Sequence, residues 1–173
     1  MTRSPPADQS HDLGGCPVTI ATPVRPEWID YNDHLTESAY LKLFGDATDV
    51  ILAGIGAGLD YVAAGHSYYT VETHICHLGQ ARLDEPLEVR SRVLAVDSKR
   101  LHLLHEMTNL ATGSVIASGE HMLVHVDAKA GNSAPAPADI LAQAQAFVAQ
   151  QAHLPPPVNQ GRQIRMPGWQ RNA

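Results

Sequence analysis

One long amphipathic helix, followed by four strand-like segments with no helix between them, constrains this chain more than any other feature. Apolar residues recur at three- and four-residue spacing in Ala39, Tyr40, Leu43, Phe44, Ala47, Val50 and Ile51, the period of a helix with one buried face. Thr36 stands at the expected N-cap and Gly54 at the expected stop. Downstream, residues 67–78, 87–96, 101–109 and 115–126 read as strands. They are rich in β-branched and aromatic residues, or they alternate, as Leu87, Val89 and Ser91 do against Glu88, Arg90 and Arg92. Turn signals at Asp97-Ser98 and Thr112-Gly113 divide the last three. Strands joined by short turns pair antiparallel, and a helix with a single apolar stripe must lay it on the sheet. The expectation is an α+β architecture, a long central helix wrapped by a curved antiparallel β-sheet. A strand over 18–24 precedes the helix, and a second, Ala- and Gln-rich helix over 137–152 follows the strands.

The length of 173 residues suits one domain. We expect a polar, disordered lead-in at 1–15, a single domain at 16–153 and a Pro-rich tail at 154–173. No apolar run reaches the ~18–20 residues of a bilayer span, and MTRSPPADQS lacks the apolar core of an export signal. A cytoplasmic place, with Cys16 and Cys76 as free thiols and no membrane partner, is therefore expected. A net charge of −6 argues against a nucleic-acid partner, while leaving room for a local basic patch.

Ten histidines raise the question of a metal. His74/His77 and His102/His105 are three apart in strands and point to opposite faces. His121 and His125 share a face but lie roughly 13 Å apart along it, too far for one ion. No metal and no cofactor are expected. Gly54-Ile55-Gly56-Ala57-Gly58 follows a helix rather than a strand, unlike a dinucleotide fingerprint, and no G-x-S-x-G elbow is present.

Chemistry concentrates in Trp28-Ile29-Asp30-Tyr31-Asn32-Asp33-His34-Leu35-Thr36, between a strand and the long helix. Such a polar stretch suits a solvated turn. It equally suits a site in which helix N-terminal amides stabilise an oxyanion beside a carboxylate that attacks an acyl carbon or activates water. Two adjacent cations, Lys99 and Arg100, with His102 close by, form either a solvated turn or a patch for phosphates; Arg82, Arg90 and Arg92 are the rival donors. Seven of the nine aromatics of the Phe, Trp and Tyr type fall between Trp28 and Tyr69. Tyr40 and Phe44 belong to the helix stripe and are expected in the core.

The pattern Asp30-x-Asn32-x-His34-Leu35-Thr36, followed by Ala39-Tyr40-Leu41, resembles the active-site segment of hot-dog thioesterases of the 4-hydroxybenzoyl-CoA thioesterase-like group. Four further stretches carry the likeness onward: Phe44-Gly45-Asp46, Gly65-His66-Ser67-Tyr68-Tyr69-Thr70-Val71-Glu72-Thr73-His74, Lys99-Arg100-Leu101-His102 and Leu123-Val124-His125-Val126-Asp127. With Trp28-Ile29-Asp30-Tyr31-Asn32 they resemble the betainyl-CoA thioesterases of carnitine breakdown and the thioesterase domain fused to some L-carnitine dehydrogenases. The resemblance runs over residues 18–165. It implies a hot-dog fold and hydrolysis of a short-chain acyl-CoA thioester, in that subgroup betainyl-CoA to glycine betaine and CoA. It also implies a homodimer or a dimer of dimers with the site at the interface.

Asp30 matches the carboxylate that acts as nucleophile or general base. Asn32 and His34 would orient it or the water, and the amides near Thr36 would polarise the carbonyl. The sequence departs from the family pattern at Asp33, where many relatives have Gly, and at Thr36, where the broader group often has Asn. A trimethylammonium group donates no hydrogen bonds and is held by aromatic faces. Trp28, Tyr31, Tyr68 and Tyr69 are the candidate faces and Glu72 the candidate counter-charge. Strand alternation puts Tyr68, Thr70, Glu72 and His74 on one face and Tyr69, Val71, Thr73 and Ile75 on the other, so only one of the two tyrosines serves unless the strand is bulged. A thioesterase for another short or aromatic acyl group, a non-catalytic acyl-CoA-binding protein and a hydratase are the alternatives.

Overall fold

The computed structural model describes Leu13 and residues 15–164. Strand β1 (Val18–Pro23) leads through a 3-10 turn (Pro26–Trp28) to helix α1 (Glu37–Gly54) and the short helix α2 (Leu59–Ala63). Four long strands follow: β2 (His66–His77), β3 (Pro86–Val96), β4 (Arg100–Asn109) and β5 (Ser114–Asp127). A two-residue strand β6 (Asn132–Ser133) and helix α3 (Ala138–Gln150) complete the described chain. The sheet order is β1-β3-β4-β5-β2, antiparallel throughout, with β6 also on β5. Helix α1 lies against β1, β3, β4 and β5. This is the hot-dog arrangement expected from the sequence.

Helix α1 forms where its apolar stripe dictates. Tyr40, Leu43, Phe44, Ala47 and Ile51 are buried against the sheet, whereas Val50, at the edge of the stripe, stays 45% exposed. Gly54 is the last helical residue rather than the stop; the left-handed residue beyond the end is Gly56, at φ 87°. The first half of α1 packs with Leu87, Val89 and Met107, the second half with Tyr68, Leu101, Leu103 and Leu123. Between the halves, a Cβ on Gly119 would come within 2.5 Å of the Phe44 ring, so the close approach of helix to β5 requires glycine there.

Four departures from the sequence reading matter. First, β2 and β3 are consecutive in the chain but not neighbours in the sheet; residues 78–85 carry the chain across to β3. Second, a bulge between Thr70 and Glu72 breaks the alternation of β2. Tyr68 stays on the α1 face and is joined there by Thr73, Ile75 and His77, while Glu72 and His74 turn to the outer face beside His102, Glu120 and Met122. The expected grouping of Tyr68 with Glu72 and His74 is therefore corrected. Third, Leu13, placed in a disordered lead-in, is fully buried against Cys16 and Leu104; the rest of that lead-in, apart from Gly15, lies outside the described residues.

Fourth, the tail expected from residue 154 is engaged at its start. Arg92 donates to the carbonyls of Gln151, Leu154 and Pro155. Gln151 accepts from Val93 N at 2.9 Å and donates to Ser91 O at 3.4 Å, so its side chain occupies the edge of β3 that β1 leaves open. Residues 165–173 lie outside the described residues. Among the described residues no helix is long and apolar enough to cross a membrane.

Candidate active site

The loop before α1 is shaped by its own polar side chains. An isolated bridge joins Ile29 to Leu35, and Asp30 N donates to His34 O at 2.8 Å. Inside the loop, Asp30 Oδ1 accepts from Asn32 N at 2.8 Å and His34 N at 3.2 Å, an Asx turn widened by one more bond. Bonds to these amides, Asn32 first, hold the Asp30 carboxyl below the usual carboxylate range. Asn32 and His34 thus reach Asp30 chiefly through their backbones. Tyr31 is 95% exposed.

Asp33, the departure from glycine, has φ 61°, the left-handed conformation in which Gly is free of strain and Asp is tolerated. Replacing Asp33 by Gly is therefore expected to leave the loop intact and raise stability by up to about 1 kcal/mol, and Asp33→Val to lower it by about 1–2 kcal/mol. Urea midpoints of the two variants check both signs.

At the start of α1 the donors are displaced from Thr36. Its own amide is taken by Trp28 O at 2.7 Å, Leu35 N is taken by Ala81 O at 2.8 Å, and the Thr36 side chain makes no capping bond. Ala39 N bonds Thr36 O at 3.0 Å. The amides of Glu37 and Ser38 are left as the orphan donors of the first turn. They open on a groove of about 700 Å³ lined by Thr36, Glu37, Ser38 and Leu41 of α1 and by Thr73, Ile75 and His77 of β2. Tyr40, expected as core, is buried in it and touches His77 of the groove's lining. Its hydroxyl donates to Gly79 O at 3.2 Å, and its ring meets His77 edge-on at 4.8 Å. Burial, and then the Asp30 charge, raise the Tyr40 hydroxyl pKa. A carboxylate in the loop and two free amides opening on a groove at the helix start are the kinds of group that acyl transfer uses.

The other residues singled out in the sequence do not gather there within one chain. Trp28 is buried, with the Arg25 guanidinium 4.9 Å from its ring centroid. Tyr68 packs among Ile51, Leu52 and Ile55 at the far half of α1, edge-on to His125 at 5.2 Å. Tyr69 lies exposed on β2, and Glu72 faces outward. The basic turn is largely neutralised: Asp97 Oδ1 takes the amides of Lys99 and Arg100, and Arg100 Nε donates to Asp97 Oδ2 at 2.7 Å. The Arg100 bond is the chief reason the Asp97 carboxyl falls to about 2. His102 pairs with Glu120 at 2.7 Å on the outer face. Arg90 is committed to Glu88 and the Cys16 carbonyl, and Arg92 to the carbonyls beyond α3. The side chains of Arg82 and Lys99 make no ion pair among the described residues, although the Arg82 amide donates to Glu85 Oε2 and the Lys99 amide to Asp97 Oδ1; Arg82 is exposed and follows Ala81, whose carbonyl holds the Leu35 amide beside the loop.

Comparison with known proteins gives one answer. The model of the thioesterase-like superfamily matches residues 24–144. An L-carnitine dehydrogenase/betainyl-CoA thioesterase of Rhizobium meliloti (strain 1021) is 46% identical over 156 residues, 90% of this chain and 32% of that protein. The chain thus spans about a third of the length of that relative. A betainyl-CoA thioesterase of Pseudomonas aeruginosa is 39% identical over 151 residues, 87% of this chain and 95% of that protein. Among solved structures, a thioesterase candidate from Pseudomonas putida KT2440 superposes with TM-score 0.77 at 34% identity, over 88% of this chain and 97% of that one. A Staphylococcus aureus protein in complex with CoA gives TM-score 0.82 at 23% identity over 88% and 97% of the two chains, a likeness of fold.

Proposed function

The chain belongs to the thioesterase-like superfamily, and from that premise we propose that it hydrolyses betainyl-CoA to glycine betaine and CoA. The observation that carries the chemistry is a groove at the start of α1 with two unused helix amides, led into by the loop that holds the ionised Asp30 carboxylate. The thioester carbonyl oxygen lies on the Glu37 and Ser38 amides, which gain most as negative charge develops on it. Asp30 either attacks the acyl carbon, giving a mixed anhydride that water then hydrolyses to free Asp30 and the acid, or takes a proton from the attacking water; the C–S bond breaks and the thiolate leaves, later taking a proton. A thiolate is a weak enough base to depart without a strong acid beside it. Arg82 and Lys99, whose side chains make no ion pair among the described residues, supply positive charge for the CoA phosphates, a role for which Arg100 and His102 are less suited because Asp97 and Glu120 pair with them.

The acyl pocket needs a second copy of the chain. Among the described residues β2 pairs only with β5, and its other edge carries the exposed Tyr69 and Val71, with exposed Leu41 of α1 lining the adjoining groove. An apolar, unpaired edge of this length invites a strand from another chain. Two-fold pairing runs the two β2 strands antiparallel and lays the neighbour's strand along the edge that carries Tyr69 and Val71. A cytoplasmic homodimer, or a dimer of such dimers, is the assembly this reading requires. Betainyl-CoA is expected to be cleaved with kcat/KM ~10–100-fold above 3,3-dimethylbutanoyl-CoA, its neutral isostere, the range a desolvated cation–π contact supports. Equal values would remove the quaternary-ammonium preference. Absence of free thiol release from any acyl-CoA of a short-chain and aromatic panel would remove thioester hydrolysis itself.

A further inference from the structure

Beneath the groove lies a histidine that the mechanism above does not use. His121 on β5 is 2% exposed and stands opposite Thr73 in the β2–β5 ladder. Its Nδ1 is 3.1 Å from Thr73 Oγ1. Its Nε2 is buried and has no hydrogen-bond partner; its surroundings are the Phe44 ring, edge-on at 6.1 Å between centroids, the His105 ring at 5.1 Å, and Gly119, on which a Cβ would lie 3.0 Å from Nε2. Burial keeps the ring neutral, with its pKa lowered to about 4, so it carries one proton on one of two nitrogens.

The unpartnered nitrogen decides which. A buried N–H without an acceptor is the rarer orphan, whereas a bare ring nitrogen among apolar atoms only forgoes a bond it would accept. The proton therefore sits on Nδ1 and is donated to Thr73 Oγ1. With its oxygen accepting from His121, the Thr73 hydroxyl hydrogen is free, and Thr73 lines the groove into which the Glu37 and Ser38 amides open. We propose that the Thr73 hydroxyl is a third donor to the substrate carbonyl oxygen, and that His121 is the positioning residue that turns it into the groove. The proposal rests on the thioesterase reading and adds a residue to its oxyanion site; a single missing donor of this kind typically costs ~100-fold or more in kcat where the site is closed to water, and less in an open groove.

Four variants and one spectrum test it, with betainyl-CoA as substrate. Thr73→Val keeps the shape and removes the hydroxyl; kcat is expected to fall by at least ~10-fold with KM nearly unchanged and the thermal midpoint preserved, and Thr73→Ser is expected to recover most of the loss. His121→Leu should lower kcat as Thr73→Val does, and the double variant should be no worse than the poorer single one. His121→Asn, whose side-chain N–H2 replaces Nδ1–H, should rescue activity where Leu does not. Imidazole 15N shifts should show His121 protonated on Nδ1. Wild-type kcat in Thr73→Val, or the proton on Nε2, would overturn the proposal while leaving thioester hydrolysis standing. A wild-type protein that releases no thiol from any acyl-CoA would overturn both.

Discussion

Asp30→Asn is expected to lose thioester hydrolysis by at least ~100-fold in kcat with the folded state unchanged, since removing a nucleophile or general base eliminates a group worth ~10²–10⁴. The substitution is unusually clean at this position. The amide oxygen of Asn accepts hydrogen bonds as the carboxylate does, so the bonds from Asn32 N and His34 N that shape the loop survive. Asp30 is also on the solvent side of the loop, so losing its charge removes no buried partner. Steady-state hydrolysis of betainyl-CoA, together with an unchanged far-ultraviolet spectrum and urea midpoint, checks the expectation. Turnover near the wild-type value would mean that the two α1 amides and water suffice, and Asp30 would revert to a loop-shaping residue.

The sequence shows what is local and hides what depends on register. Helix α1 is legible because its stripe recurs at helical period, and the four long strands because turn residues bound each of them. The Asp30 loop is legible because so many polar groups cannot be buried together. The bulge of β2 leaves no such trace. Val71 is a good strand residue, and Tyr68, Thr70, Glu72 and His74 alternate without a break in sequence, yet one extra residue at Val71 moves Glu72 to the outer face.

The donors beside Asp30 also shift by one residue. Whether the Thr36 amide is free depends on its bond to Trp28 O, which no local pattern announces. Asp97, taken as a turn signal, binds the Arg100 guanidinium and so removes one of the two cations of the basic turn. The juxtaposition of His105 with His121 is set by the pairing of His105 with Gly119 and of Thr73 with His121, so it requires the sheet itself.

That buried pair carries the second large effect, on stability. An imidazole free in the unfolded chain titrates near ~6.5, whereas His121 in the folded protein titrates at about 4 because burial penalises its charged form. Between these values the unfolded chain takes up a proton that the folded one refuses, so the stability is complete above pH ~6.5 and falls as the pH drops. From pH 7 to pH 5, His121 alone accounts for a loss of about 2 kcal/mol. His105 acts in the same direction: it is fully buried and bonded to Ser91 and Thr48, and burial first, then the neighbouring His121, lowers its pKa. The carboxylates held low by hydrogen bonds, Asp30, Asp97 and Asp127, lose their contributions only below the ordinary carboxylate range and stay out of this window.

Unfolding free energies from urea titrations at pH 7 and pH 5 should therefore differ by more than about 2 kcal/mol, and His121→Asn should reduce that difference by about 2 kcal/mol. An unchanged difference in the variant would mean that the His121 ring titrates alike in the folded and unfolded protein. Because Asp30 remains ionised throughout, activity lost between pH 7 and pH 5 should follow the unfolded fraction and not the titration of Asp30.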